Sequence, residues 1–541
     1  MTRSEAYYRP RIPRHHADEA IERERITRIV SDGFASHGYL PVETPLLEEQ
    51  SSLAMAGGSA VTPFQLFDGD GRLLVVRSDL TMPIARLVAT RLAHTEAPIR
   101  LRYAAPVVRE QAQYMARSRQ FTQLGIELIG ASGADADFEV VSMAAEALNA
   151  VGVSKWRIVC GSVRPMNELL AAAGIAGSKR EELLSCVHAS DFVDLDAALS
   201  DVDAPENLVN AIATLPRISG GVEALDTASA ALAAAGIADG GVSELRALFE
   251  SAQKAGFADN LAVDFSVMNS FGYYTGLVFS VYADGVSTPL GSGGRYDEAF
   301  SRLGERDLPS AGFALSLEEI EEAVANNAEA RPLRIAVPKG SLFTDTVEAL
   351  AAAGLNTEPL HDVGRHLIVH GQGVDYVIVR PTDAPAFVAS GGADCGICGR
   401  DSLVEAGLDL VQLIDLGYGA CRFVVAEPAS AKGAADAAYA RRGSIRVSTK
   451  YPRITQAYYD RIGVQADIVT LHGNIELGPM VGLSDRIVDI TATGTTLREN
   501  DLVIVDEVLK CSARFFASPA SIRCDERVRD LAAKLAASRK A

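Results

Sequence analysis

The stretch RIVDITATGTTLREN, Arg486 to Asn500, joins an apolar strand to a loop of threonine and glycine. Gly494 permits a positive φ and a close approach of the backbone to a ligand. Asp489, at the predicted end of the strand, can accept hydrogen bonds from two ribose hydroxyls, while loop N–H groups surround a phosphate. Further hydroxyl donors in the loop are Thr493, Thr495 and Thr496. The same composition is typical of an ordinary turn, so the loop alone leaves both interpretations open.

Around this stretch, short apolar runs alternate with amphipathic helical patterns from end to end, which is typical of α/β and α+β proteins. The 541 residues exceed what one hydrophobic core usually organises, and they predict about three domains. No apolar run is long enough for a membrane span, and the N-terminus lacks the apolar core of a signal peptide. We therefore expect a cytoplasmic protein without a membrane partner, and seven scattered cysteines suit reduced thiols.

The charge of the chain bears on its partners. A formal net charge of -19 repels a phosphate backbone over most of the surface. Nucleic acid is therefore not expected as the main partner. Small anionic substrates stay possible, because a few Lys, Arg and backbone N–H groups are enough to hold them.

The sequence indicates one domain boundary. The stretch LEEIEEAVANNAEARP, which ends at Pro332, predicts a charged helix followed by a polar linker, and LRIAVP then begins a buried strand. We predict an N-terminal domain at 1–328, with a helical insertion at about 164–260, and a linker at 329–332. A C-terminal domain follows at 333–541.

From Leu333 to Ser521 the chain resembles ATP phosphoribosyltransferase, the first enzyme of histidine biosynthesis. The resemblance rests on six blocks in the family's order: LRIAVPKGSLF, VRPTDAPAFVASGGADCGICGRDSLVEAG, LIDLGYGACRFVVA, IRVSTKYPRITQAYYDRIG, LHGNIELGPMVGLSDRIVDITATGTTLREN and SARFFASPAS. It implies that adenine N1 of ATP attacks C1′ of 5-phosphoribosyl diphosphate and that pyrophosphate leaves. It also implies a two-lobed α/β fold like that of periplasmic binding proteins, with the second lobe at about 425–510.

The resemblance assigns roles to residues outside the loop. Lys339, just after the first strand, is expected to bind a phosphate, and Arg365 falls where the family places an arginine near the ATP phosphates. Lys450 and Glu476 line the cleft, where Lys450 binds phosphoribosyl diphosphate and Glu476 contacts the ribose or a Mg²⁺-bound water. Lys339, Arg365 and Glu476 are the predicted catalytic residues. For each of them a solvated surface side chain is the alternative. Joining two polyanions needs neutralisation and alignment, and the diphosphate oxygens suit Mg²⁺ as cofactor. Ser341 stands where the family often has Arg, which removes one expected phosphate contact.

The chain ends soon after the last block. It therefore resembles the short form of the enzyme, which depends on a separate regulatory subunit derived from histidyl-tRNA synthetase. CGIC, Cys395 to Cys398, has no second pair at zinc-site spacing, and we expect two buried cysteines. No protein metal site is predicted.

The N-terminal half, from about Arg11 to Glu322, resembles that subunit and the antiparallel-sheet core of class II synthetases. The blocks are GYLPVETPLLEE, LLVVRSDLTMPIAR, RYAAPVVREQAQYMARSRQFTQLGIELIG, FGYYTGLVFSVY and GSGGRYDEAF. Asn269 replaces the synthetase arginine that stabilises charge during adenylate formation, and Gln111 replaces an acidic residue, although Arg109 is retained. A neutral side chain cannot supply that charge, so we expect aminoacylation to be crippled.

Polar residues remain at the positions of the synthetase's histidine pocket. They are Asp79, Thr81, Gln123, Glu127, Tyr273 and Tyr274. Carboxylates can pair the amino group and imidazole of histidine, and tyrosines can wall the ring. Core packing is the alternative for the tyrosines. Histidine binding in this pocket or at the contact between the two halves stays open.

We therefore interpret the chain as a fusion of the regulatory and catalytic parts of ATP phosphoribosyltransferase, inhibited by histidine through the N-terminal domain. The alternatives are an aminoacylating enzyme and a non-catalytic histidine or nucleotide sensor. Both families form oligomers, so the resemblance implies a homo-oligomer such as a tetramer.

Overall fold

The computed structural model describes residues 15–50, 64–110, 118–267, 274–303, 306–326, 331–491 and 494–539. The chain forms two compact units. Unit 1 is Met1–Ala330 with Ser518–Glu526, and unit 2 is Arg331–Ala517 with Arg527–Ala541. The predicted linker lies partly outside the described residues, and the domain limits proposed from the sequence stay predictions.

Unit 1 contains twelve described strands. They are β1 Leu40–Pro41, β2 Leu47–Glu49, β3 Gln65–Phe67, β4 Leu73–Val76, β5 Ile99–Val108, β6 Gln120–Ile129, β7 Trp156–Ser162, β8 Ser219–Gly220, β9 Leu261–Asp264, β10 Leu277–Ala283, β11 Gly291–Arg295 and β12 Ser310–Ser316. Nine form one sheet in the order β1-β5-β6-β12-β11-β10-β7-β9-β8, and β2-β4-β3 form a second. From β5 to β7 every neighbouring pair in the large sheet is antiparallel.

Before the linker, unit 1 contains eleven described α-helices, and most of them lie between β7 and β9. They are α1 Ala17–Ser36, α2 Thr81–Thr90, α3 Ala134–Val151, α4 Arg164–Ala172, α5 Gly177–His188, α6 Phe192–Leu199, α7 Glu206–Thr214, α8 Ala224–Ala234, α9 Val242–Ala255, α10 Ala299–Leu303 and α11 Leu317–Ala325. Apolar residues recur along α3 at helical spacing, and Gly152, with φ +88°, ends it. Its buried face joins α1 and the sheet in one core.

Unit 2 contains two sheets. Its strands are β13 Leu333–Pro338, β14 Ile368–His370, β15 Val374–Val379, β16 Cys395–Gly399, β17 Val411–Asp415, β18 Cys421–Pro428, β19 Ile445–Thr449, β20 Ala466–Thr470, β21 Arg486–Thr491, β22 Leu502–Cys511 and β23 Ala513–Ala517. The six-stranded sheet has the order β14-β15-β13-β16-β23-β17, and the five-stranded sheet β20-β19-β21-β18-β22. The predicted strand LRIAVP is confirmed as β13, whose two parallel neighbours explain its continuous apolar run.

Helices connect the strands of unit 2, and the chain crosses between the two sheets twice. The helices are α12 Phe343–Ala352, α13 Ala384–Ala389, α14 Arg400–Ala406, α15 Ala434–Arg442, α16 Pro452–Arg461, α17 Leu477–Met480 and α18 Thr495–Glu499. One crossing joins β17 to β18, and the other joins β22 to β23 through Ser512.

Two helices follow the last strand. They are α19 Pro519–Cys524, which lies in unit 1, and α20 Glu526–Arg539. No helix within the described ranges is long and apolar enough to span a membrane.

Candidate functional site

The loop after β21 is held by a threonine. The hydroxyl of Thr491 accepts a hydrogen bond from the N–H of Gly494 at 2.7 Å. Gly494 has φ +72° and directly precedes α18. In this left-handed region a side chain costs about 1–2 kcal/mol, so the turn requires glycine. The hydroxyls of Thr495 and Thr496 are exposed just beyond it, and Thr493 lies outside the described residues.

Asp489 lies within β21, opposite Val424, two residues before the strand ends. It was predicted at the end of the strand. One carboxylate oxygen accepts the N–H of Ile490 at 2.8 Å. Burial, with a contribution from the nearby charge of Glu476, raises the pKa of Asp489 to about 6, while Lys450 opposes the rise. The Asp489 side chain is partly buried. With a pKa of about 6, its carboxyl is predominantly ionised at neutral pH.

Lys450 and Glu476 approach Asp489 from neighbouring segments. Lys450 follows the end of β19, and β19 runs parallel to β21 with Thr449 opposite Val488. The carboxyl ends of the two strands therefore share one edge of the sheet. Glu476 immediately precedes α17 and is partly exposed. This edge combines one cation and two carboxylates beside the glycine turn.

Lys339 and Arg365 belong to the other sheet of unit 2. Lys339 follows β13, and its backbone N–H bonds to the carbonyl of Val379 at 2.7 Å. Arg365 lies in a turn before β14, and both side chains are exposed. Within the described residues, neither side chain has a hydrogen-bond or ion-pair partner. Ser341 is also exposed, in the short turn Gly340–Leu342.

A second polar cluster lies inside unit 1, around Glu127 of β6. One oxygen of its carboxylate accepts the hydroxyl of Thr81 at 2.8 Å and that of Tyr103 at 3.3 Å. The other oxygen accepts the hydroxyl of Tyr296. Glu127 is only 1% exposed. Four polar side chains from distant parts of the sequence thus meet in the core of the sheet.

The carboxyls of this cluster have perturbed acidity. Burial raises the pKa of Glu127 to about 7, and the charge of Asp79 adds to the rise, whereas the hydrogen bonds oppose it. Burial also raises the pKa of Asp79, against the nearby charge of Arg109. Asp79 accepts the N–H of Met82 at 3.3 Å, at the start of α2. A positively charged ligand placed between these carboxyls would favour their ionised forms.

Glycines on neighbouring strands leave room for the cluster. A Cβ on Gly125 would lie 2.5 Å from the hydroxyl of Tyr103. A Cβ on Gly312 would overlap the carboxylate of Glu127. Gln123 lies on the same face of β6 as Glu127, because the two are an even number of residues apart. Its buried side-chain oxygen has no hydrogen-bond partner among the described residues, and it is therefore an available acceptor.

Tyr274 borders this region and packs over Gly294 of β11, where a Cβ would lie 2.7 Å from the tyrosine ring. It is partly buried. Tyr273, Asn269 and Gln111 lie outside the described residues, so their predicted roles stay predictions.

Two family models match the chain. The histidyl-tRNA synthetase model matches residues 15–320, and the ATP phosphoribosyltransferase model matches residues 380–537. An ATP phosphoribosyltransferase of Rubrobacter xylanophilus is 48% identical over 193 residues, covering 36% of this chain and 89% of the relative. The chain belongs to the ATP phosphoribosyltransferase family.

The N-terminal part of this ATP phosphoribosyltransferase family member has its own relatives. A protein named ATP phosphoribosyltransferase regulatory subunit, from Desulfitobacterium hafniense, is 33% identical over 313 residues, covering 58% of this chain and 80% of the relative. A crystal structure from Bacillus halodurans, titled regulatory subunit/histidyl-tRNA synthetase, superposes with a TM-score of 0.54 at 26% identity, covering 69% of this chain and 98% of that one. These matches confirm the predicted fusion and the class II synthetase-like fold of its first part.

Sequence reasoning did not single out Tyr103 and Tyr296. Both lie in blocks that carry the resemblance, but only the sheet register brings them to Glu127. Tyr103 pairs with Gly125, and Gly312 pairs with Glu127. Glycines in the middle of otherwise apolar strands were the available signal, because such glycines often mark a close approach.

The CGIC motif is structural. Cys395 and Cys398 lie on β16 and are both 0% exposed, as predicted. Burial raises the pKa of the Cys398 thiol. In the described part of the chain, no group of three or more His, Cys, Asp or Glu side chains could hold a metal ion.

Proposed function

We propose that the chain transfers the 5-phosphoribosyl group of phosphoribosyl diphosphate to N1 of ATP, with release of pyrophosphate, under histidine control through unit 1. The observation that carries the reaction is the 48% identity to an ATP phosphoribosyltransferase over 89% of its length. The proposed site of this reaction is the sheet edge beside the Gly494 turn, where Asp489, Lys450 and Glu476 lie. ATP is an intracellular substrate, in agreement with the predicted cytoplasmic location.

The residues of the edge hold and align the ribose donor. The N–H groups and hydroxyls after Gly494 bind the 5′-phosphate, and the Asp489 carboxylate accepts hydrogen bonds from the ribose hydroxyls. Lys450 offsets negative charge on the diphosphate. Since no covalent intermediate with the protein is required, alignment and charge neutralisation provide the rate enhancement.

Mg²⁺ fits this edge as an ion carried by the diphosphate. Asp489 and Glu476 are close enough for their charges to interact. Mg²⁺ is usually bound by one or two carboxylates together with substrate phosphates and waters, so two carboxylates suffice. When bound, the ion would neutralise charge on the departing pyrophosphate. Asp489 and Glu476 would hold it.

The acceptor side belongs to the six-stranded sheet. We assign Lys339 and Arg365 to the ATP phosphates, because both cations are exposed and have no partner in the described part of the chain. The two sheets then act as the two lobes of a periplasmic-binding-protein-like fold, with the second lobe at about 425–510. Substrates of an α/β sheet bind outside the carboxyl ends of its strands, where Lys339 and Lys450 lie.

The test is formation of N1-(5-phosphoribosyl)-ATP by the purified chain with Mg²⁺. Replacing Thr496 by Ala removes a hydroxyl donor to a charged group, worth about 1.5–3 kcal/mol. We expect KM for phosphoribosyl diphosphate to rise about 10- to 100-fold. Thr227→Ala, at an exposed threonine of α8 in unit 1, is the matched control and should leave KM unchanged. Absence of product would refute the reaction, and an unchanged KM in Thr496→Ala would refute the loop assignment alone.

Histidine regulation is assigned to the Glu127 cluster of unit 1. Glu127 and Asp79 suit the amino group and imidazole of histidine, Gln123 offers a free buried acceptor, and Tyr274 borders the space. Titration calorimetry with histidine tests the site. Glu127→Gln should weaken binding at least tenfold, about 1.4 kcal/mol, since a charged hydrogen bond becomes neutral. If wild type and Glu127→Gln bind histidine with equal affinity, the histidine site is not the Glu127 cluster.

A homo-oligomer such as a tetramer is proposed from the resemblance and from one exposed edge strand. β3 is an edge strand of its small sheet, and Phe67 on it is 71% exposed, beside the exposed Leu66. Exposed apolar side chains on an edge strand are typical of a protein interface. Light scattering of the wild-type chain and Phe67→Glu tests this, and a wild-type monomer would contradict it.

A further inference from the structure

Two cysteines of unit 2 stand directly opposite each other on neighbouring strands. Cys421 is the first residue of β18 and Cys511 the last residue of β22, and they are Cα partners in the antiparallel register. Such partners lie about 4.5 or 5.5 Å apart between Cα atoms. Both spacings fall within the range of about 4.4–6.8 Å that a disulfide needs. The backbone can therefore accept a bond between the two sulfurs without rearrangement.

The two thiols are close enough for each to shift the pKa of the other. Cys421 is partly exposed, whereas Cys511 is 5% exposed. The neighbouring Cys511 thiol lowers the pKa of Cys421, while burial and the nearby charge of Asp401 oppose this. Cys421 is thus the thiol that solvent reaches and that ionises more readily, and Cys511 is placed to resolve it.

Other cysteines of unit 2 lack this arrangement. Cys395 and Cys398 share β16 but are three residues apart, so their side chains point to opposite faces. Both are also fully buried. The pair of Cys421 and Cys511 therefore combines a facing thiol with access from solvent.

The pair lies at both crossings between the two sheets. Residues 416–420 connect β17 to Cys421, and Ser512 connects Cys511 to β23. Asp415 accepts the hydroxyl of Ser512 at 2.7 Å, which ties the crossings together. Gly417 and Gly419 in the longer crossing have φ +79° and +66°. Two crossings of this kind are where hinge motion between the sheets would be absorbed.

The pair also borders the phosphate loop. Arg422, the residue after Cys421, pairs with Thr491, whose hydroxyl holds Gly494. A change in the first residues of β18 therefore acts on the strand that carries Asp489.

We propose that Cys421 and Cys511 form a reversible disulfide that slows the transferase by fixing the crossings between its sheets. With a peroxide as oxidant, the Cys421 thiolate attacks one oxygen and becomes a sulfenic acid, releasing hydroxide. The Cys511 thiol then attacks the Cys421 sulfur, the S–S bond forms and water leaves. Two electrons pass from the thiols to the peroxide, and a dithiol reductant returns them.

Peptide mapping of the full chain tests the bond without reference to activity. Trypsin releases Asp401–Arg422 and Cys511–Arg514, each with one cysteine. After mild hydrogen peroxide and alkylation of free thiols, we expect these two peptides joined, with two hydrogen atoms fewer than their sum. Dithiothreitol should separate them. Absence of the joined pair, with both peptides alkylated instead, would overturn the proposal.

The effect on turnover rests on the proposed function and is measured in the phosphoribosyl transfer assay. Oxidation should lower turnover about tenfold, about 1.4 kcal/mol of barrier, and dithiothreitol should restore it. Under peroxide, Cys421→Ser should keep the turnover rate of the protein with reduced thiols. Cys186→Ser, at a partly exposed cysteine of unit 1, should lose turnover under peroxide as wild type does. A joined peptide pair with full turnover would refute the regulatory effect. Equal loss in Cys421→Ser and wild type would do the same.

Discussion

The substitution Glu127→Gln tests the acidity of the Glu127 cluster through the free energy of unfolding of unit 1. The amide has nearly the shape of the carboxyl, and its oxygen can still accept the hydroxyls of Thr81 and Tyr103. Its NH₂ group can donate to the hydroxyl of Tyr296, so the cluster keeps its hydrogen bonds. What the substitution removes is the ionisation of a carboxyl that is 1% exposed.

The magnitude follows from the acidity of that carboxyl. Burial, the largest cause, raises the pKa of Glu127 from 4.5 to about 7 in the folded chain. A group with a raised folded pKa contributes stability that is fully present below its unfolded pKa and lost as pH rises through its folded pKa. At about 1.4 kcal/mol for each pH unit, wild type loses about 3 kcal/mol between pH 4.5 and 7 on this account. Glu127→Gln loses none of it.

Denaturant unfolding of both full-length proteins from pH 4.5 to 8 tests this. Trp156 is the only tryptophan of the chain and lies buried on β7, so its fluorescence reports on unit 1. The stability of the variant relative to wild type should rise by about 3 kcal/mol over this range.

Glu139→Gln is a control of opposite sign. The hydrogen bond from Arg100 lowers the pKa of Glu139, so its stabilisation is present above its unfolded pKa and lost in acid. This variant should be less stable than wild type at pH 7 and approach it at low pH. Parallel pH profiles of wild type and Glu127→Gln would refute the assigned acidity of the cluster.

Three further outcomes are expected. The kcat/KM for phosphoribosyl diphosphate should rise with pH through about 6, since the Asp489 carboxylate is the binding form and its pKa is raised to about 6; Asp489→Asn should flatten the profile measured by initial rates. Gly312→Ala should abolish histidine binding in calorimetry, because its Cβ overlaps Glu127 and lies 2.5 Å from the carbonyl of Ile126. Arg295→Met leaves Asp137 buried without its 2.7 Å ion pair and should destabilise unit 1 by about 3–5 kcal/mol in the tryptophan assay.

The sequence predicted elements and family better than it predicted contacts. LRIAVP is a strand because its apolar run is a local property, and the glycine of the TATGTT loop adopts the positive φ that its position suggested. Tyr296 and Glu127 lie 169 positions apart, and only the pairing of β12 with both β6 and β11 brings them together. Register depends on the whole sheet, so no window of sequence reveals such a contact.

The same limit applies to Cys421 and Cys511. Cys421 lies in one of the family blocks and Cys511 directly before another, and neither block pairs them by a cysteine pattern. Their pairing follows from the antiparallel register of β18 and β22, which a sequence pattern does not define. Asp489 shows a smaller error of the same origin, because the strand continues to Thr491 through its pairing with Arg422.

Helix α19 follows the last strand of unit 2 but belongs to unit 1. Ala520 of α19 is buried in one cluster with Val159 and Tyr282, and Tyr274 packs against that cluster. Arg523 of α19 pairs with Asp264 at 3.1 Å. A ligand that binds one arrangement of Tyr274 more tightly favours that arrangement by its difference in affinity. Because α19 follows β23 with only Ser518 between them, the helix that carries Ala520 and Arg523 is continuous in the chain with a strand of the six-stranded sheet.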